Sequence, residues 1–246
     1  MPSPELPQDH PAQEPEMEPL LGEPRAAGAL QREDSPMLAN LYIGTGILAQ
    51  LGAIILFSVI WVHILRRDWV IFSGHPIAMS LALLAIIQSI LILQPTHTPG
   101  QKRAGQRVHA ILHLVSFISL LSGIVIIEYN KHVNNLAHFH SAHAYIGAIT
   151  ATVLLLQYAV GFTMWATPGL YGSVDRAKSI WKYHRWSGYI SLVLLLTTVL
   201  SAAQIPFVGK IIGIQFWWVF GLSVLILSGI VPRIHLWKLL GQVRRQ

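Results

Sequence analysis

The chain has no cysteine among its 246 residues. That excludes disulfides, thiolate metal sites and covalent c-type haem, which requires C-x-x-C-H. Charge is scarce as well: 11% of residues are Asp, Glu, Lys or Arg, against about 25% in soluble domains. Too little charge is present to coat a water-facing globule, which sets soluble enzymes aside. The apolar residues instead come in blocks of about 20, enough to cross a hydrocarbon core of roughly 30 Å as a helix. Acids near those blocks are rare, with only Glu128 close to one, at its end. The formal charge of +6 would suggest nucleic acid only if the basic residues shared one soluble face. They are scattered over short connections, so no nucleic-acid partner is expected.

What the chain does have is six apolar blocks: Leu41–Leu65, Val70–Leu93, Val108–Ile127, Leu136–Trp165, Tyr183–Ala203 and Ile211–Val231. Each is apolar on all sides, as a helix surrounded by protein or lipid should be. Short connections make successive helices antiparallel neighbours. The expected fold is all-α, a polytopic membrane protein of six transmembrane helices occupying residues 41–246. Residues 1–40 are rich in Pro, Glu and small side chains and cannot bury enough surface to offset their ordering. They are expected to form a disordered cytosolic tail, and they lack the basic start and apolar core of a signal peptide.

Lys and Arg set the expected orientation. The second connection carries Lys102, Arg103 and Arg107, and the fourth carries Arg176, Lys178 and Lys182, with Arg185 just inside the fifth block. The C-terminal end adds Arg233, Lys238, Arg244 and Arg245, whereas the odd connections hold only Arg66, Arg67, Lys131 and Lys210. Both termini are therefore expected in the cytosol.

Histidines inside apolar spans are functional candidates by default. His75 and His143 open the second and fourth blocks on the outer side, while His109 and His184 open the third and fifth on the cytosolic side. This alternation pairs His75 with His143 and His109 with His184. Two imidazoles do not complete a tetrahedral zinc site, but they supply both axial positions of a haem iron. Two such layers, roughly a dozen residues apart, would lie about 18 Å from each other along the bundle.

Four motifs carry a family resemblance: His75-Pro76, K-R-A-G-Q-R-V-H ending at His109, H-F-x-S-x-H-x-x-x-G from His138 to Gly147, and Y-H-R-W-S-G-Y around His184. In this order, in a six-span chain, they resemble the cytochrome b561 family from Leu41 onward. The resemblance implies a four-helix haem-binding bundle formed by the second to fifth helices. It implies two non-covalent haem b groups, with His75, His143, His109 and His184 as axial ligands of the iron. It also implies a transmembrane oxidoreductase of the ferric-reductase type. The electron donor would be a cytosolic small molecule like ascorbate, and the outer acceptor ferric iron, as a chelate, or monodehydroascorbate. Arg103 and Arg107 match the family's donor-binding basic residues, with arginine where lysine is common, a change that alters hydrogen-bond geometry. His138 matches the H-F element and is the candidate for contact with the acceptor or a haem propionate. Residence in the plasma membrane or an endomembrane and a homodimer are both compatible with the family.

Other histidines read differently. His113 shares a helical face with His109 and is expected to pack or hydrogen-bond, and His140 to face solvent or headgroups. The competing reading is a histidine-rich, metal-dependent intramembrane hydroxylase or hydrolase using His109, His113, His138 and His143. It needs those ligands to converge on one centre, and the expected topology puts them on opposite faces.

Overall fold

Thr98 and Ser173 begin two helices well before the apolar residues do. The computed structural model describes residues 30–235 and contains six helices long and apolar enough to cross a membrane. They are α1 (Gly46–Leu65), α2 (Gly74–Leu93), α3 (Pro99–Val133), α4 (Ala142–Ala166), α5 (Val174–Ala202) and α6 (Phe216–Ile230). No strand occurs among the described residues, so the all-α, six-span fold expected from hydropathy is the observed one. Lys238, Arg244, Arg245 and residues 1–29 of the expected tail lie outside the described residues.

α3 and α5 start at Pro99 and Val174 rather than at Val108 and Tyr183. The reason is local capping that hydropathy does not register. The Thr98 hydroxyl accepts from the Gln101 amide while the Gln101 side chain reaches back to the Thr98 amide, a reciprocal cap with Pro99 at the first turn. The Ser173 hydroxyl likewise accepts from the Arg176 amide at 3.1 Å. Polar, basic turns are thus helical, and His109 and His184 sit well inside their helices instead of at the mouths.

Three helix pairs make the extensive contacts: α2 with α3, α4 with α5, and α1 with α6, the last leaning on α2 through α1. The α2–α3 and α4–α5 pairs touch each other only lightly. In the α1–α6 pair a Cβ added at Gly229 would collide with the Ala49 backbone, so the missing side chain is what lets the helices approach. Thr45 Oγ1 donates to the Gly229 carbonyl at 2.9 Å in the same contact. Gln50 and Gln88 exchange amide hydrogen bonds between α1 and α2, satisfying polar groups that lipid cannot.

The chain is already packed before α1 is reached. Asn40, fully buried, donates to the Ile92 carbonyl at 2.8 Å and to Gln31 Oε1 at 3.0 Å. Arg233, expected as a loop cation, is also fully buried, and its Nη2 donates to the carbonyls of Asn40 (2.7 Å) and Leu91 (3.1 Å). These side chains serve carbonyls released at the C-terminal end of α2, where the helix leaves its last acceptors without backbone partners. Hydrogen bonds from buried polar side chains thus tie this stretch to the end of α2.

Candidate functional site

His75, the second residue of α2, points its Nδ1 at the Gly123 carbonyl of α3, 2.9 Å away. His109 of α3 returns the contact, its Nδ1 lying 3.2 Å from the Ser89 carbonyl of α2. His143, the second residue of α4, places Nδ1 3.0 Å from the Thr198 carbonyl of α5. A carbonyl can only accept, so each Nδ1 carries the hydrogen and each Nε2 keeps a free lone pair. Metal-binding imidazoles are oriented in this way by a partner on the far nitrogen. Fourteen residues separate His75 from Ser89, His109 from Gly123, and His184 from Thr198. At ~1.5 Å per residue the two histidine layers are therefore about 21 Å apart.

The rings of His75 and His143 have centroids 6.3 Å apart with planes at 84°. Two imidazoles bound to opposite sides of one iron, each through a nitrogen at roughly 2 Å, have centroids about 6 Å apart. The residues present thus fit a bis-imidazole haem in both spacing and free nitrogen. In the other layer His109 and His184 are electrostatic neighbours. His184 differs from the rest: its buried Nδ1 has no hydrogen-bond partner. Its ring lies instead against Gly161, where an added Cβ would come within 3.0 Å of Cε1. Its backbone carbonyl accepts from Gln157 Nε2 at 3.1 Å.

His113 is committed elsewhere. Ser89 Oγ donates to the Ile86 carbonyl at 2.7 Å and so accepts from His113 Nε2 at 2.9 Å. His113 therefore holds the opposite tautomer from the three anchored imidazoles, as a packed, hydrogen-bonded residue. Its ring stands 4.3 Å from His109 and edge-on to Tyr158 at 5.6 Å. Tyr158 in turn hydrogen-bonds Ser116 Oγ at 2.7 Å, closing a polar belt at mid-bundle.

The remaining candidates lie at the periphery. Arg103 and Arg107 are exposed, one turn apart on the same face of α3. His140 is exposed and its Nδ1 donates to the Ala137 carbonyl at 3.0 Å. His138 is half-exposed, its Nδ1 3.0 Å from Glu128 Oε2, and Lys131 Nζ lies 3.8 Å from Oε1 of the same carboxylate. The contacts expected for His138 are the acceptor or a haem propionate, and the observed ones are Glu128 and, through it, Lys131. The one available hint is that Glu128 is an acid at the end of the third apolar block. Among the described residues no three His, Cys, Asp or Glu side chains converge to hold a metal ion. His109 and His113 also sit in a different layer from His138 and His143, so the hydroxylase or hydrolase reading lacks its centre.

Six helices long and apolar enough to cross a membrane mark a multi-pass integral membrane protein. The model of the eukaryotic cytochrome b561 family matches residues 74–206, more than half of the chain, and the chain belongs to that family. Membership implies b-type haem. The lysosomal membrane ascorbate-dependent ferrireductase of Mus musculus is 25% identical over 170 residues, 65% of this chain and 69% of that protein. The transmembrane ascorbate-dependent reductase of Bos taurus is 26% identical over 98 residues, 40% of this chain and 39% of its own. The ascorbate-specific transmembrane electron transporter 2 of Zea mays is 24% identical over 141 residues, 57% of each chain.

Proposed function

We propose that the protein is a transmembrane oxidoreductase carrying single electrons from cytosolic ascorbate to an outer acceptor, a ferric chelate or monodehydroascorbate. His75 with His143 and His109 with His184 would hold two haem b groups. The observation that carries this reading is the His75–His143 pair, with both Nδ1 atoms donated to carbonyls and the rings 6.3 Å apart. A bound haem supplies a one-electron couple between ferric and ferrous iron. The chain's own part is to fix imidazole direction, exclude water and place two layers about 21 Å apart along the bundle.

Arg103 and Arg107 attract the anionic donor at the His109/His184 end, which is the cytosolic face in the orientation set by Lys and Arg. Both termini lie on that face, as do the tail of residues 1–40 and the entry to the transmembrane unit 41–246. Ascorbate loses one electron and one proton there, and the acceptor at the His75/His143 end gains the electron. Movement from inside to outside follows an inside-negative potential and is favoured by about 2.3 kcal/mol per 100 mV for a full crossing. The relatives' names, with ascorbate as reductant and one of them a ferrireductase, support the same classes of donor and acceptor. The lysosomal relative supports an endomembrane location.

Proteoliposomes loaded with ascorbate and given external ferricyanide test the proposal. Ferricyanide loss that requires both internal ascorbate and the protein is expected. Loss that is equal in protein-free vesicles, or an ascorbate-treated protein without a reduced haem spectrum, contradicts it.

A further inference from the structure

Pro95 leaves a gap at the end of α2 that a buried cation fills. The Leu91 carbonyl would accept from the amide four residues on, and Pro95 has none to give. Arg233 Nη2 takes that place at 3.1 Å and also reaches the Asn40 carbonyl at 2.7 Å. Its Nη1 fills the notch left by Gly46, where an added Cβ would overlap it. The next carbonyl, that of Ile92, is served by the neutral amide of Asn40 at 2.8 Å. Capping these carbonyls therefore requires a donor and no charge. Yet the guanidinium is fully buried, its Nε and Nη1 have no hydrogen-bond partner, and among the described residues no carboxylate pairs with it. An uncompensated charge is the more expensive device, and an ionisable group inside a membrane bundle reads as functional.

α2 sets that charge beside one histidine layer. Ser89, whose carbonyl meets His109 Nδ1, and Leu91, whose carbonyl meets Arg233, are two residues apart on the helix. Two residues give about 3 Å of rise and roughly 200° of turn, so His109 and Arg233 lie at similar depth on opposite sides of α2, about 10 Å across. On α5, Tyr189 is an electrostatic neighbour of both Arg233 and Arg185, and Arg185 is one of His184. Gln94 Nε2 ties the group together, donating to the Tyr189 hydroxyl at 3.2 Å and the Ile230 carbonyl at 3.1 Å. The other layer is built differently. Lys131 is an electrostatic neighbour of His75 and His143, but it faces Glu128 Oε1 at 3.8 Å, and its charge is offset.

We propose, resting on the haem ligands assigned above, that Arg233 sets the potential at which the His109/His184 layer accepts its electron. Reduction of a haem held there adds one negative charge, and a fixed cation in low-dielectric surroundings favours the reduced form. The electron is the one that the donor gives up together with a proton to the cytosolic water, and no atom passes to the chain. Arg233 touches neither donor nor ligand, so it is a positioning residue that acts through the field. Its burial also separates it from Arg103 and Arg107: salt screens those exposed charges and leaves Arg233 nearly unscreened.

Midpoint potentials of the haems in purified holoprotein, titrated against an electrode with mediators, test this without ascorbate. Arg233→Gln keeps an amide donor and drops the charge. At a fixed potential the reduced-to-oxidised ratio of the His109/His184 haem is expected to fall about fivefold, equal to about 40 mV for one electron. The His75/His143 haem should move by less than half as much, and the shift should persist at high ionic strength. Arg233→Lys keeps the charge and should restore most of the wild-type value. Gln94→Glu leaves Arg233 and its two carbonyls in place and sets a carboxylate beside Tyr189. It should lower the same potential, and it decides the matter if Arg233→Gln holds no haem. A His109/His184 potential unchanged in Arg233→Gln or Gln94→Glu, or equal falls in Arg233→Gln and Arg233→Lys, would overturn the proposal. A wild-type protein whose two haems titrate but are not reduced by ascorbate would instead defeat the reductase reading and leave the role of Arg233 standing.

Discussion

The two ends of the bundle hold their histidines by different means. At the His75/His143 end both rings are aimed by hydrogen bonds to carbonyls of the partner helix. At the opposite end His109 is aimed in the same way, but His184 is held by packing against Gly161 with its Nδ1 unpaired. A hydrogen bond fixes both tautomer and direction, whereas packing fixes direction only as well as the neighbours fit. The lesson is that one helix pair, α2–α3, is reciprocally anchored at both ends, and the other, α4–α5, is anchored at one. The ends also differ in charge: exposed Arg103 and Arg107 at one, a half-sheltered Lys131–Glu128–His138 link at the other.

Enlarging Gly161 should break the packed end and spare the other. Gly161→Leu pushes its side chain into the His184 ring, and half of the haem content is expected to be lost, read by pyridine haemochromogen absorbance. Gly147→Ala is the control at the anchored end, because its Cβ would meet only Thr198 Cγ2 at an ordinary 3.6 Å. Full haem content is expected there, with up to about 1 kcal/mol gained in helix propensity.

Arg233→Ala should come next in size. It strips the buried carbonyls of Asn40 and Leu91 of their donor, and a loss of about 2–4 kcal/mol in thermal or denaturant unfolding is expected. No change in stability would mean that the polar stitching near the His109 end does not hold the bundle together. A milder change is expected from Arg103→Gln with Arg107→Gln: the KM for ascorbate should rise several-fold, roughly in line with two screened surface charges. The effect should shrink as ionic strength is raised, and a salt-independent effect would point to a structural role.

Ser89→Ala sharpens the comparison most finely. It removes the hydroxyl that accepts from His113 and keeps the carbonyl that accepts from His109. Full haem content with about 1 kcal/mol of lost stability is expected. Loss of haem would show that the hydroxyl, rather than the carbonyl, positions the ring of His109.

Much of the architecture is written in side chains and was therefore legible. Apolar block length sets the spans, and the depths of His75, His109, His143 and His184 within their blocks can be read from the sequence. Four features were hidden for physical reasons. The helix starts at Thr98 and Ser173 depend on caps and lie in polar turns. The acceptors that aim the imidazoles at Gly123, Ser89 and Thr198 are backbone carbonyls, which carry no residue identity and appear only once helices are paired. Arg233 reads as a loop cation because sequence shows its charge and not the unpaired carbonyls it reaches. Glu128 and His138 are ten residues apart across a turn, and their pairing appears only once that turn is folded.

The most direct test of the account is haem stoichiometry on detergent-purified protein, for wild type, His75→Ala and His109→Ala. Two b-type haems per chain in wild type and one in each variant are expected, with different absorbance bands lost in the two. No haem in wild type, or loss of the same band in both variants, would contradict the two-layer conduit.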